Sequence, residues 1–292
     1  DSSEQVGLNI PLRFIFKPSY SPHCINTNVG RNFMREKKIS KHGAIVVNKA
    51  TKSLFQFNNE IEQTEMLTFF ILIGDDYISE NKEKARQTLI EIYDDPDNDV
   101  SVKLVEFFKT EKADKLFDMM FYERHFSQMA YSRSIENFIS YFKDILAEVV
   151  IKKPQVLKSK DQERLDFILS HNTMDDLLKS ISEKKIEELF YKGITDIEKF
   201  FDDRLGIKIF KDDETKKTIN RLIKQRNLIV HNRGRISKEF TDEFPEMNYQ
   251  AGLYLVFEYE HVSQTNLYLS NFLVELDTEI ADKFDLELKT GQ

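Results

Sequence analysis

The feature that most restricts the fold is an apolar spacing that begins just after Ser132: Ile135, Phe138, Phe142, Ile145 and Val149 recur at intervals of three and four. That period puts all five on one face of a helix of about 20 residues, and Pro154 ends it by removing a backbone donor. A helix with one wide apolar face is held mainly by what packs against it, so further helices are required. The spacing predicts them over EIEQTEMLTFFILI, KEKARQTLIEIYDD, 100–109, 111–122, KDQERLDFILS, MDDLLKSISEKKIEELFYK, 214–231 and 260–283, with a short one between Gly193 and Gly206. Thr173 with Asp176 three residues on reads as a helix-starting cap, and Gly234 as a left-handed helix stop. Nine Gly and six Pro are too few for a turn-rich β architecture, while 24 Phe suit a packed helical core. The expected class is mainly α.

The pattern changes near 126, which divides the chain into an N-terminal domain over 1–125 and a helical bundle over 126–292. The first is mixed or mostly helical, of unrecognised type, and a candidate sensing or regulatory part. Within it, LRFIFK at 12–17 alternates like a strand, AIVVNKATKSLFQF is compatible with strand or helix, and DDPDND at 94–99 is a turn. Residues 235–258 read as irregular.

The lone cysteine, Cys24, excludes an intramolecular disulfide and cysteine-rich metal sites, so a reducing, cytoplasmic setting is expected. Residues 1–20 carry no signal-peptide pattern, and the most apolar patch, LTFFILIG at 67–74, falls far short of the ~20 residues a spanning helix needs. No membrane association is expected. The six histidines form no H-x3-H or HExxH, and no cofactor or metal is expected. The formal charge is −8, yet residues 1–50 and 211–235 each carry eight basic and three acidic side chains. Either basic island suits a phosphate backbone.

The second island contains KKTINRLIKQRNLIVHNRGR at 216–235. Its apolar stripe runs Ile219, Leu222, Ile223 and Val230, and Arg226 occupies the position that completes the spacing. A guanidinium inside an apolar stripe is costly unless an anion, an acid or a partner surface receives it. His231 follows five residues later, about 140° round the helix, so the two share no face within one regular helix. A helix C-terminus favours cationic side chains, which suits an acid–base histidine there. The alternatives remain open: Arg226 paired with a carboxylate, His231 bonded to a helix-end carbonyl, and Arg233 and Arg235 as solvated cations.

RNLIVHN at 226–232 resembles the R-x4–6-H signature of the HEPN superfamily (higher eukaryotes and prokaryotes nucleotide-binding), in its form of Arg, a polar residue, three apolar residues and His. The resemblance covers 126–290. Two further matches, Arg35 with His42 and Arg164 with His171, lack that interior and read as accidental. The resemblance implies a helical bundle that dimerises, and a metal-independent endoribonuclease of a bacterial defence, abortive-infection or toxin-like system, with an antitoxin or trigger protein as a further partner. It implies catalytic roles for Arg226, Asn227 and His231 and RNA contacts from Arg221, Asn232, Arg233 and Arg235. Other members of the superfamily are inactive and serve as RNA- or nucleotide-binding or dimerisation modules, and that reading stands as the alternative. Tyr131, Tyr141 and Tyr191 are core or base-stacking residues, with no spacing to choose between the two.

Overall fold

The computed structural model describes residues 38–39, 45–46, 49–117, 120–158 and 163–290. The expected strand at 12–17, the Arg35 and His42 pair and Cys24 lie outside these. Two short strands, β1 (Lys38–Ile39) and β2 (Ile45–Val46), pair antiparallel, and β3 (Lys49–Ala50) leads into α1 (Lys52–Glu80). Then come α2 (Lys82–Ile92), α3 (Asp99–Phe108), a 3₁₀ stretch (Glu111–Phe117) and the long α4 (Met120–Lys152). A 3₁₀ turn at Pro154–Leu157 is followed by α5 (Leu165–Leu169), α6 (Met174–Lys192), α7 (Ile194–Phe200), α8 (Asp213–Asn232), α9 (Lys238–Glu243) and α10 (Tyr259–Phe284). Finally β4 (Lys289–Thr290) runs antiparallel to β3, with Lys49 opposite Thr290. The described residues are mainly helical, as the spacing predicts.

The axis of the bundle is α4. Its Ile135, Phe138, Phe142, Ile145 and Val149 are fully buried, and α1, α6, α8 and α10 pack around it. Leu54, Phe57 and Ile61 from α1 and Leu269, Leu273, Leu276 and Ile280 from α10 join the same core. Each such side chain contributes about 1.5–3 kcal/mol on leaving water. Aromatic rings meet edge to face, Phe138 with Phe142 at 5.2 Å between centroids and Phe142 with Phe201 at 5.7 Å. Position 126 lies inside α4, and residues 38–292 form one compact unit. The change of pattern there is the point at which α4 enters the core, where α1 already lies against it.

A buried polar joint fixes the start of α1. Thr51 caps that helix, its hydroxyl accepting from the Leu54 N–H at 3.2 Å. The same residue donates to Asp277 of α10 from N (3.1 Å) and from Oγ1 (2.5 Å), and the Tyr141 hydroxyl donates to the same carboxylate at 3.0 Å. Burial pushes the Asp277 carboxyl above its ordinary range, against the pull of the Thr51 and Tyr141 hydrogen bonds. Ser53 likewise bonds Glu148 of α4 through N at 2.8 Å.

Two expectations need correction. The 111–122 segment is 3₁₀ as far as Phe117, and the segment read as irregular holds α9, which Ser237 starts by accepting from the Phe240 N–H at 3.2 Å. The patch at 67–74 lies in the outer part of α1, where Leu67 and Phe70 are exposed. Among the described residues no helix is long and apolar enough to cross a membrane.

Candidate functional site

The motif occupies the last two turns of α8. Asp212 starts this helix, accepting from the Thr215 N–H at 2.7 Å, and acidic Asp213 and Glu214 in its first turn complement the dipole. The helix stays regular through Asn232, and Arg233 (φ 54°) and Gly234 (φ 74°) end it in left-handed backbone. Arg226 and His231 therefore stand about 140° apart around its axis and about 7.5 Å apart along it. One chain does not bring them onto one face.

The buried stripe of α8 differs from the expected one. Ile219, Leu222 and Gln225 are buried, while Val230 is 46 % exposed. The packed line turns gradually round the cylinder, so Gln225 rather than Arg226 faces the core. Its Oε1 accepts from the buried Tyr131 hydroxyl at 2.8 Å. Tyr131 stacks on Phe257 (4.3 Å), which stacks on His261 (5.2 Å). Burial, then the charge of Arg221, holds the His261 imidazole below its ordinary range. Tyr131 and Tyr141 are thus core residues, and the Tyr191 side chain lies outside those described.

Arg226 lies at the edge of that stripe. Its Nη2 donates to Glu136 of α4 at 2.6 Å and its Nη1 to the Asn227 Oδ1 at 3.2 Å, while its buried Nε has no protein partner. The Glu136 side chain is 41 % exposed, so this is a half-open pair rather than a buried one. Asn227 and His231 are exposed. Arg221, by contrast, reaches the 3₁₀ turn Pro245–Met247 after α9, its Nη1 3.3 Å from the Met247 Sδ, and lies more than two turns before the helix end.

The remaining predicted residues do gather. The Asn232 side chain donates to the Arg235 carbonyl at 2.7 Å, closing the turn after α8. Residues 234–236 then pair with 252–255: Leu255 N–H donates to the Gly234 carbonyl and Ile236 N–H to the Leu253 carbonyl, each at 2.8 Å. This ladder carries Tyr254 opposite Arg235, whose Nε donates to the phenol oxygen at 3.2 Å. Arg124 of α4 lies over the same ring, 4.2 Å from its centroid. The hydrogen bond and charge of Arg235, with the charges of Arg124 and Arg233, pull the Tyr254 phenol below its ordinary range. Among the described residues the ion pairs include none to Arg124, Arg233 or Arg235.

Glu136, Arg124 and Tyr254 were not legible in the sequence, being brought in from α4 and the second strand of the ladder. Of the second match, Arg164 precedes α5 and pairs with Asp166, while His171 Nδ1 lies 2.9 Å from the Phe167 carbonyl. Among the described residues no three His, Cys, Asp or Glu side chains converge as a metal site would require. Compared with protein-family models, with curated proteins and with solved structures, the chain shows no match.

Proposed function

We propose that this chain binds RNA at the end of α8 and, as a dimer, cleaves it as a HEPN-like endoribonuclease of a bacterial defence or toxin-like system. The observation that carries the reading is the cationic helix end: exposed His231 next in sequence to a turn that carries exposed Arg233 and Arg235, neither in an ion pair among the described residues, with Arg235 and Arg124 on one Tyr254 ring. In this reading the 2′-hydroxyl beside the scissile phosphate attacks it, the phosphorus–5′-oxygen bond breaks, and a 2′,3′-cyclic phosphate and a 5′-hydroxyl result. His231 of one chain takes the 2′-proton and the same residue of the second copy protonates the leaving oxygen. Arg226 holds the non-bridging oxygens as charge grows, oriented by Glu136 and Asn227. The second copy is needed because each chain contributes one motif histidine, and because Arg226 and His231 diverge on α8.

The Arg226–Glu136 pair favours a second reading, in which the same surface holds RNA, a nucleotide or a partner protein without cutting. One experiment separates the two. The full chain is incubated with labelled single-stranded RNA in excess chelator, beside His231→Ala and His171→Ala. Cleavage leaving cyclic phosphate ends, lowered roughly 10²-fold or more by His231→Ala and untouched by His171→Ala, supports the nuclease. Cleavage that needs magnesium and leaves 5′-phosphates rules that mechanism out. Binding without cleavage transfers the conclusion to the second reading.

A further inference from the structure

We infer that Arg124 completes, with Arg233 and Arg235, a phosphate cradle for single-stranded RNA, and that the Tyr254 ring is its template. This rests on the RNA reading above and extends it to residues outside the motif.

Arg124 and Arg235 are 111 positions apart in the chain, yet both meet one ring, their guanidinium carbons 4.2 and 5.1 Å from its centroid. Arg233 adds its charge to the same phenol. Converging cations repel one another, and in this acidic chain of net charge −8 carboxylates to separate them are plentiful. Among the described residues Arg124 and Arg235 contact the face of an aromatic ring, and Arg235 its phenol oxygen, instead, which hold guanidiniums in place without neutralising them. An anion of the geometry of a phosphodiester supplies what is missing, because guanidiniums bind its oxygens in paired hydrogen bonds.

The backbone agrees. The left-handed stop that ends α8, with Arg233 at φ 54°, leaves Arg233 exposed on the same turn as exposed Arg235. The choice of a single strand comes from the surface beside the ring. Tyr254 and Val256 point to the same side of the extended segment, and both are exposed, at 38 and 58 %. Unpaired bases present faces to such groups, whereas a duplex presents only its backbone and groove edges.

The test uses a 5′-fluorescein decaadenylate with 2′-O-methyl riboses, which cannot undergo 2′-hydroxyl attack, and the full chain, with binding read by anisotropy between 50 and 300 mM salt. Arg124→Gln is expected to weaken binding about fivefold and to lower the slope of log K against log salt by about 0.7, the value of one phosphate contact on a single strand. Tyr254→Leu removes no cation, yet it should lower the slope similarly, and Tyr254→Phe, which keeps the ring face, should stay near the parent. Circular dichroism checks that each variant is folded. A merely structural tyrosine would leave the slope unchanged. Parental affinity and slope in Arg124→Gln and Tyr254→Leu overturn the cradle while leaving the nuclease reading to its own cleavage assay. A parent chain that does not bind the probe overturns the cradle too, and loss of slope in both variants supports it whether or not the chain cleaves.

Discussion

Gly234→Ala tests whether the turn that presents the basic residues is held as described. Gly234 has φ 74°, and a Cβ built there would stand 2.3 Å from Nε2 of Gln128. Left-handed backbone costs alanine about 1–2 kcal/mol. The clash falls on the end of a flexible side chain, but Gln128 is only 6 % exposed and its Nε2 donates to the Leu255 carbonyl at 2.7 Å. Moving it breaks that bond and leaves a buried carbonyl unpaired, about 1–3 kcal/mol more. Gly234→Ala should therefore lose about 2–5 kcal/mol, or roughly 5–15 °C in melting temperature for a chain of this size. Gln128→Ala alone should lose about 1–3 kcal/mol, because it removes the same hydrogen bond. In the double variant only the backbone strain is added, so it should be about as stable as Gly234→Ala, with a coupling of about 1–3 kcal/mol. Urea unfolding followed by far-ultraviolet circular dichroism measures all four corners. Strict additivity, or a parental midpoint for Gly234→Ala, would refute the account of how Gln128 clamps this turn.

Asp277 sets a pH dependence. Its folded-state carboxyl lies above its ordinary range, so between the ordinary value and the raised one the folded protein holds a proton that the unfolded chain has released. The stability it contributes is full below the ordinary carboxylate range and is lost as pH rises through the raised value. Melting temperature measured from pH 3 to 8 should show this fall in the parent, and Asp277→Asn should remove it; an unchanged profile in the variant would count against the joint. Arg226→Ala breaks a half-exposed pair with Glu136 and should change stability by less than about 1 kcal/mol while abolishing cleavage; a loss of several kcal/mol in urea unfolding would mark Arg226 as a structural residue. Light scattering under assay conditions should give a homodimer. A pure monomer at micromolar concentration, with RNA present, would remove the composite site.

What sequence alone determined is what local physics controls. The face of α4 from Ile135 to Val149, the Thr173 cap of α6, and the limits of α8 and α10 follow from helical period, capping groups and left-handed stops, all of which act within a few residues. The basic character of 211–235 was legible for the same reason. The tertiary structure decided which of two neighbouring residues, Gln225 or Arg226, faces the core, because the packed line on α8 depends on where α4 crosses it. It also decided the partners: Glu136 for Arg226, Arg124 and Tyr254 for Arg235, Asp277 for Thr51. These pairs are separated by 19 to 226 positions, and nothing in the spacing around either member signals the other. The join of α1 to the bundle was invisible for that reason: one continuous core forms wherever apolar faces meet in space, and a boundary drawn from a change in local pattern does not register burial between distant segments.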